Sequence, residues 1–220
     1  MVSANRPAQT PSAVTPRPGP AWRDLPFLGG DVSLDFVNTT GGRTKARDHD
    51  RLRSFTDAIS WARAAGLVDA EEHHALRQQS QARPVEADRA LHILREQRES
   101  LHAFLLAGVR GSPCSPAARA CVESWLRTTY REAHLSEHFA QHSAWHLDVN
   151  DVGLGLVSRR QALAAGRLLG SDSRSHISEC ARCSWLFLDT SPSHYRRWCS
   201  MAICGNRAKA ERHHRRSTTT

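Results

Sequence analysis

No apolar run approaches the roughly eighteen residues that a membrane-spanning helix needs. The longest candidates, Ala103–Val109 and Leu154–Val157, are short. The basic-then-apolar layout of a secretory signal is missing from the first residues. These absences point to a soluble, cytoplasmic chain. The sequence also has no HExxH run, no phosphate-cradling glycine loop, no nucleophile elbow and no paired catalytic carboxylates. We therefore expect no enzyme and no catalytic residue. Lysine is scarce, with Lys45 and Lys209 the only two, so the basic side chains are nearly all arginine. Such Arg- and Ala-rich usage points to a bacterial chain of high genomic GC content.

What is present is charge at one end and a cluster of cysteines. The 220-residue chain carries a formal net charge of +8. Eight Arg and Lys residues stand against three acids in residues 176–220, a local +5. Four of the six cysteines lie in the same stretch, whereas Cys114 and Cys121 lie apart. In a cytosolic chain, two close cysteine pairs read as a metal site before they read as disulfides.

Composition and periodicity divide the chain. Residues 1–21 hold five of the ten prolines. They have too little apolar surface to offset the entropy of ordering, so we expect a disordered tail. A domain over residues 22–170 follows, with order beginning near Trp22–Phe27. Val32–Thr39 alternates apolar and polar residues and reads as a short strand. Gly41-Gly42 ends it, and a basic, mobile loop runs to Arg53. Ser54 with Asp57, and Asp69 before Ala70–Ala82, read as helix starts. Glu86–Val109 and Ala117–Ala133, the latter opened by Ser115-Pro116, show helical spacing. Glu137–Val149 reads as a hairpin and Val152–Leu169 as a last helix. Ser171–Ser175 marks a boundary. The fold class is α+β: a mostly helical N-terminal domain with a few short strands, then a small C-terminal module over residues 176–216.

Cys180-x2-Cys183 and Cys199-x4-Cys204 offer four thiolates, which fill a tetrahedral zinc shell and leave no open position. Two residues between Cys180 and Cys183 suit a tight knuckle. Residues five apart on a regular helix differ by about 140° in direction, so Cys199 and Cys204 cannot share one. The solution we expect puts Cys199 at a strand end, Ser200 at a cap and Cys204 in the first turn of a helix running to about Arg216. Ser184–Asp189 would pair with Tyr195–Cys199. Knuckle, hairpin and ligand-bearing helix make a treble-clef-like layout around one structural Zn2+. So small a module has almost no core, and a structural zinc supplies roughly 10–16 kcal/mol toward folding. His176, His194, His213 and His214 are the substitute ligands, unneeded once four thiolates close the shell.

Cys180–Cys183, Trp185–Asp189, Arg196–Met201 and Cys204-Gly-Asn-Arg207 followed by Lys209 resemble the CGNR zinc finger family across residues 177–216. Leu34–Thr39, Ser60-Trp61 and Ala65–Leu67 resemble the ABATE domain of stress-induced transcription regulators. Together the resemblance spans residues 27–216. It implies a zinc-binding transcriptional regulator that acts on DNA in a stress response.

The residues themselves give partial support. Arg196, Arg197, Arg207, Lys209, Arg212, Arg215 and Arg216 form the candidate nucleic-acid surface. Arginine suits bidentate phosphate contacts and guanine edges alike. Asn206 either reads adenine or caps its own turn. Asp35 and Asn38 are the candidate ligand-pocket residues; the alternative is that they tie local backbone. The N-terminal domain is expected to sense a small-molecule effector or to form a homodimer. In the alternative reading, the finger is a protein- or RNA-interaction module beside a small-molecule-binding domain. Trp61, Trp125 and Trp145 are expected in the core, and most histidines on the surface.

Overall fold

A computed structural model describes residue 22 and residues 27–135 and 144–217. The tail expected over residues 1–21 lies outside the described residues.

Among the described residues the N-terminal domain is almost wholly helical. Its helices are α1 (Val32–Val37), α2 (Phe55–Ala64), α3 (Ala70–Ala82), α4 (Pro84–Arg110), α5 (Pro116–Glu132), α6 (Val149–Val152) and α7 (Leu156–Gly170). A 3-10 turn, Gly153–Gly155, joins the last two. The long α4 is the spine. It packs against α1, α2, α3 and α5, and reaches the C-terminal module through β3 (Ile177–Glu179).

The helix starts follow their caps. Ser54 and Asp57 form a reciprocal capping box on α2, and Asp69 and Glu72 do the same on α3. Each box satisfies two backbone N–H groups that the first turn leaves orphaned. Ser115 sits at the N-cap of α5 but makes no side-chain bond there.

The expected strand Val32–Thr39 is instead the helix α1, Val32–Val37, followed by a turn at Asn38 and Thr39. Asp31 caps α1 by accepting the Ser33 N–H at 2.7 Å, and Asp35 accepts the Gly29 N–H at 2.8 Å. Ser33, Leu34, Phe36 and Val37 are all buried, so the segment has no solvent face to print a helical period. Val32, Leu34 and Phe36 alternate by coincidence. Phe36 lies between Trp61 and Trp125, with ring centroids 5.3 and 6.4 Å away, at the centre of the core.

Trp61 and Trp125 are buried as expected, but Trp145 is 37% exposed and meets Tyr130 edge-on. The expected hairpin starts earlier than the sequence indicates. β1 (His134–Leu135) pairs antiparallel with β2 (Trp145–His146), and residues 136–143 lie outside the described set. No helix among the described residues is long and apolar enough to cross a membrane.

Ser171–Ser175 is not a free linker. It forms most of a 3-10 turn, Asp172–His176, that leads directly into β3. β3 pairs with β4 (Leu186–Leu188) in antiparallel register, Ile177 opposite Leu188 and Glu179 opposite Leu186. A π-helical turn, Met201–Gly205, then opens α8 (Asn206–Ser217).

Candidate metal centre and nucleic-acid interface

The β3–β4 hairpin carries the first cysteine pair at its tip. Cys180 donates its N–H to the Trp185 carbonyl at 2.9 Å, which closes the knuckle around Cys183. The sequence reading places the hairpin between the two pairs. Instead β4 pairs backward with Ile177–Glu179, and residues 195–199 form no strand. Those residues return as an extended segment held by side chains. Asp189 accepts from the Ser191 N–H and hydroxyl and from the Arg196 N–H. The Ser191 hydroxyl bond is the leading influence that keeps this carboxyl below its usual range. Arg196 turns inward over the Phe187 ring and donates to the carbonyls of Trp198 and Cys199.

Ser200 caps the π-helical turn by accepting the Ile203 N–H, and this turn delivers Cys204 beside Cys199. Ser200 is extended, with φ −152° and ψ 129°, so Cys199 stays outside the helix as expected and the second pair never has to share one regular helix. The four sulfurs lie within 4.8 Å of one another, with Cys183–Cys199 at 3.7 Å and Cys199–Cys204 at 3.6 Å. Tetrahedral zinc with Zn–S bonds of about 2.3 Å sets its sulfurs about 3.8 Å apart, so the cluster already has the spacing the ion needs. Cys180, Cys183 and Cys204 are fully buried and Cys199 is 1% exposed. Burial, followed by the charge on Cys180, pushes the Cys204 thiol up. Four thiolates this close need a cation to coexist. The donor set fits one structural zinc ion.

The N-terminal domain grips this centre from several sides. Lys45 donates to the Cys180 carbonyl and to Glu179, both at 2.6 Å. Ser184 donates its N–H to the Thr44 carbonyl, and the Trp185 indole donates to the Thr40 carbonyl at 3.0 Å. His102 on α4 bonds the Ser184 carbonyl at 3.0 Å, which assigns the ring proton to Nε2. Burial, aided by the Arg47 charge, lowers its pKa to about 4, so the ring is neutral. Arg110 makes a two-pronged bond to Glu179. Gly41 and Gly42 both have positive φ, and a Cβ on either would collide with Ser184 or Trp185. Only glycine fits there.

The loop read as mobile is thus a fastened collar. Arg98 anchors it from beneath, clasping Asp50 with both guanidinium arms at 2.8 and 2.7 Å. Sequence reasoning missed Lys45, Thr40, Thr44 and His102 as supports of the zinc site. Only the Gly-Gly pair signalled a close approach.

The candidate basic residues divide. Arg197, Arg207, Lys209, Arg212 and Arg215 are exposed or half-buried, and Arg197 lies over the Trp198 ring. The Arg216 side chain lies outside the described set. Arg196 serves the internal structure described above. Asn206 donates to the Ala202 carbonyl at 3.1 Å, the turn-capping alternative. Positions 207, 209, 212 and 215 spread around α8 at roughly 100° per residue, which suits phosphate contact better than reading one groove edge. Asp35 and Asn38 do tie backbone, but across longer distances than expected. Asn38 bonds Leu186 in the finger, and both residues also line a small cavity.

A mostly helical domain joined to a cluster of four buried cysteines defines a zinc-finger protein. The family model described as "CGNR zinc finger" matches residues 176–217, and the one described as "ABATE: Putative stress-induced transcription regulator" matches residues 30–172. The chain belongs to the ABATE family, with a CGNR zinc finger at its C-terminal side. A search of curated proteins found no match.

Proposed function

We propose that this chain is a non-enzymatic transcriptional regulator whose zinc finger binds DNA through the phosphate backbone. One observation carries the reading. Arg197, Arg207, Lys209 and Arg212 all stand at the surface of a scaffold fixed by four buried cysteines. Rigid presentation lowers the entropy lost on binding, and arginine forks suit phosphate oxygens. The closed thiolate shell supports a structural rather than a catalytic metal.

Four or five phosphate contacts would make log affinity fall with log salt at a slope of about −4. A gel-shift titration with genomic DNA at two salt concentrations, with and without chelator, tests this. We expect tighter binding at low salt, loss of binding with chelator, and weaker binding for Arg197→Ala and Arg207→Ala at unchanged zinc content. Binding that ignores both salt and chelator would refute it. Tyr195, 84% exposed, supports the second reading, because an open aromatic ring can stack on an unpaired base. Preference for single-stranded RNA over duplex DNA in the same titration would favour that alternative.

A further inference from the structure

The last turns of α4 and α7, the 3-10 turn Asp172–His176 and the start of β3 leave an open-mouthed cavity of about 340 Å³ between them. That volume lies within the roughly 300–1,000 Å³ that small-molecule pockets occupy. Its walls are hydrocarbon. Phe104, Leu105 and Val109 come from α4, Leu169 from α7 and Ile177 from β3. Leu105 and Ile177 are buried in the core, so the floor is fixed. Gly108 also lines the cavity, and a Cβ built on it would meet nothing within 4 Å. Glycine inside a helix is destabilising relative to alanine, and no neighbour requires it here. What its missing side chain provides is open space above the apolar floor.

Arg174 is the one charged residue among those that line the cavity. Its Nη1 donates to the Leu169 carbonyl at 2.9 Å, which holds the guanidinium over the end of α7. Among the described residues no carboxylate lies within ion-pair distance of it. Arg110, the arginine that ends α4, is taken by Glu179. Ser175, the other polar side chain of the lining, donates its hydroxyl proton to the Asp172 carbonyl at 2.7 Å. A ligand heteroatom set among the apolar walls would therefore lose its bonds to water without replacement. The complement of this cavity is a hydrocarbon body with a single negative head.

We propose that this cavity binds a medium-chain aliphatic carboxylic acid. The chain lies against the apolar walls, and the carboxylate accepts from the remaining N–H groups of Arg174. A guanidinium suits a carboxylate through parallel charge-assisted bonds, and one delocalised negative charge matches one cation. A phosphate dianion would face that single cation and carry a second charge into apolar surroundings. Because Arg174 and Ile177 lie on the segment that joins the helical domain to the first cysteine pair, the bound acid touches both parts of the chain.

The full, zinc-loaded chain is titrated with octanoate, hexanoate and octanol by calorimetry and equilibrium dialysis. We expect one equivalent of octanoate to bind with Kd at or below about 1 mM. Each methylene removed should weaken the acid by up to about fourfold, so hexanoate binds less tightly. Octanol should bind about tenfold more weakly than octanoate, the scale of a lost charge-assisted bond. Arg174→Gln should bring octanoate down to the affinity of octanol and leave octanol unchanged. Gly108→Leu puts an isobutyl group in the open space and should abolish binding of both. Both positions are exposed, so both variants should keep their zinc and their helical circular dichroism. No saturable octanoate binding, octanol binding as tightly as the acid, or full binding by Gly108→Leu overturns the proposal. So does a dimer that Gly108→Leu dissociates while no acid binds, which would make the cavity a surface for a second copy of the chain. No readout involves nucleic acid, so failure here and failure of the DNA reading are distinguishable.

Discussion

Asn38 clasps the backbone of Leu186 from both sides. Its amide donates to the Leu186 carbonyl at 2.8 Å, and its carbonyl accepts the Leu186 N–H at 3.0 Å. Both residues are buried. Two residues on, Leu188 donates its N–H to the Gly29 carbonyl at 2.7 Å. The outer edge of β4 would otherwise present unpaired backbone groups, and the N-terminal domain covers it as a neighbouring strand would. The finger is therefore an extension of the helical domain, joined through buried polar contacts that water cannot replace.

Asn38→Ala leaves two buried backbone groups without partners, each costing about 1–3 kcal/mol. We expect a loss of roughly 2–5 kcal/mol in denaturant unfolding and faster zinc release to a colorimetric chelator. Wild-type chelation kinetics in Asn38→Ala would mean that the clasp does not support the metal centre.

How much of this was legible in the sequence depends on whether the determinants were local. The four ligands, Ser200 at its cap and the boxes at Ser54 and Asp69 were all readable, because each depends on residues within a few positions. The α1 helix was not. Buried nearly all round, its pattern loses the helical period, and Asp31 and Asp35 fix it through bonds that periodicity does not encode. The β3 partner of β4 was missed for a related reason. Tyr195–Cys199 and Ile177–Glu179 are both near enough to pair, and what keeps the former from pairing is Arg196 folding inward with Asp189. The collar around the knuckle rests on contacts more than 130 residues apart, such as Lys45 with Cys180, to which no spacing rule applies.

Asp35 should make the protein less stable at neutral pH than it would be without the charge. Burial, opposed in part by the Gly29 bond, raises its pKa to about 6 from the ordinary 3.8. Its native value exceeds the unfolded one. Its favourable contribution is therefore complete below about pH 4 and disappears as pH rises through 6. Asp35→Asn should be more stable than wild type at pH 7, by up to about 3 kcal/mol, with the gap closing near pH 4. Paired urea titrations at the two pH values measure it, and a gap that does not change with pH would contradict the assignment.

His102 acts in the opposite sense. Its native pKa of about 4 lies below the ordinary 6.5, first because the ring is buried and then because Arg47 repels its charge. The unfolded chain takes up this proton first. The contribution is intact above pH 6.5 and lost as pH falls toward 4, up to about 3 kcal/mol in all. His102→Gln can still donate to the Ser184 carbonyl but does not titrate. Its stability should fall less steeply between about pH 6.5 and 4.5 than that of wild type. Parallel curves would show that His102 is not the titrating group.

Metal removal gives the sharpest distinction between the two sets of cysteines. Cys180, Cys183, Cys199 and Cys204 share one buried cluster, while Cys114 and Cys121 are half-buried thiols outside it. Cys199→Ser should abolish the single zinc equivalent measured by metal analysis. It should also expose Phe187 and Trp198, which pack on the sulfur cluster. Cys114→Ser and Cys121→Ser should retain the full equivalent. Because thiolates bind metal in competition with protons, wild-type zinc should be released as pH falls. The helical domain has its own core around Phe36, Trp61 and Trp125, so Cys199→Ser should keep most of its helical circular dichroism while losing the finger. If helicity collapsed along with zinc, the collar contacts at Lys45 and Asn38 would have to be essential to the helical core rather than fastened onto it.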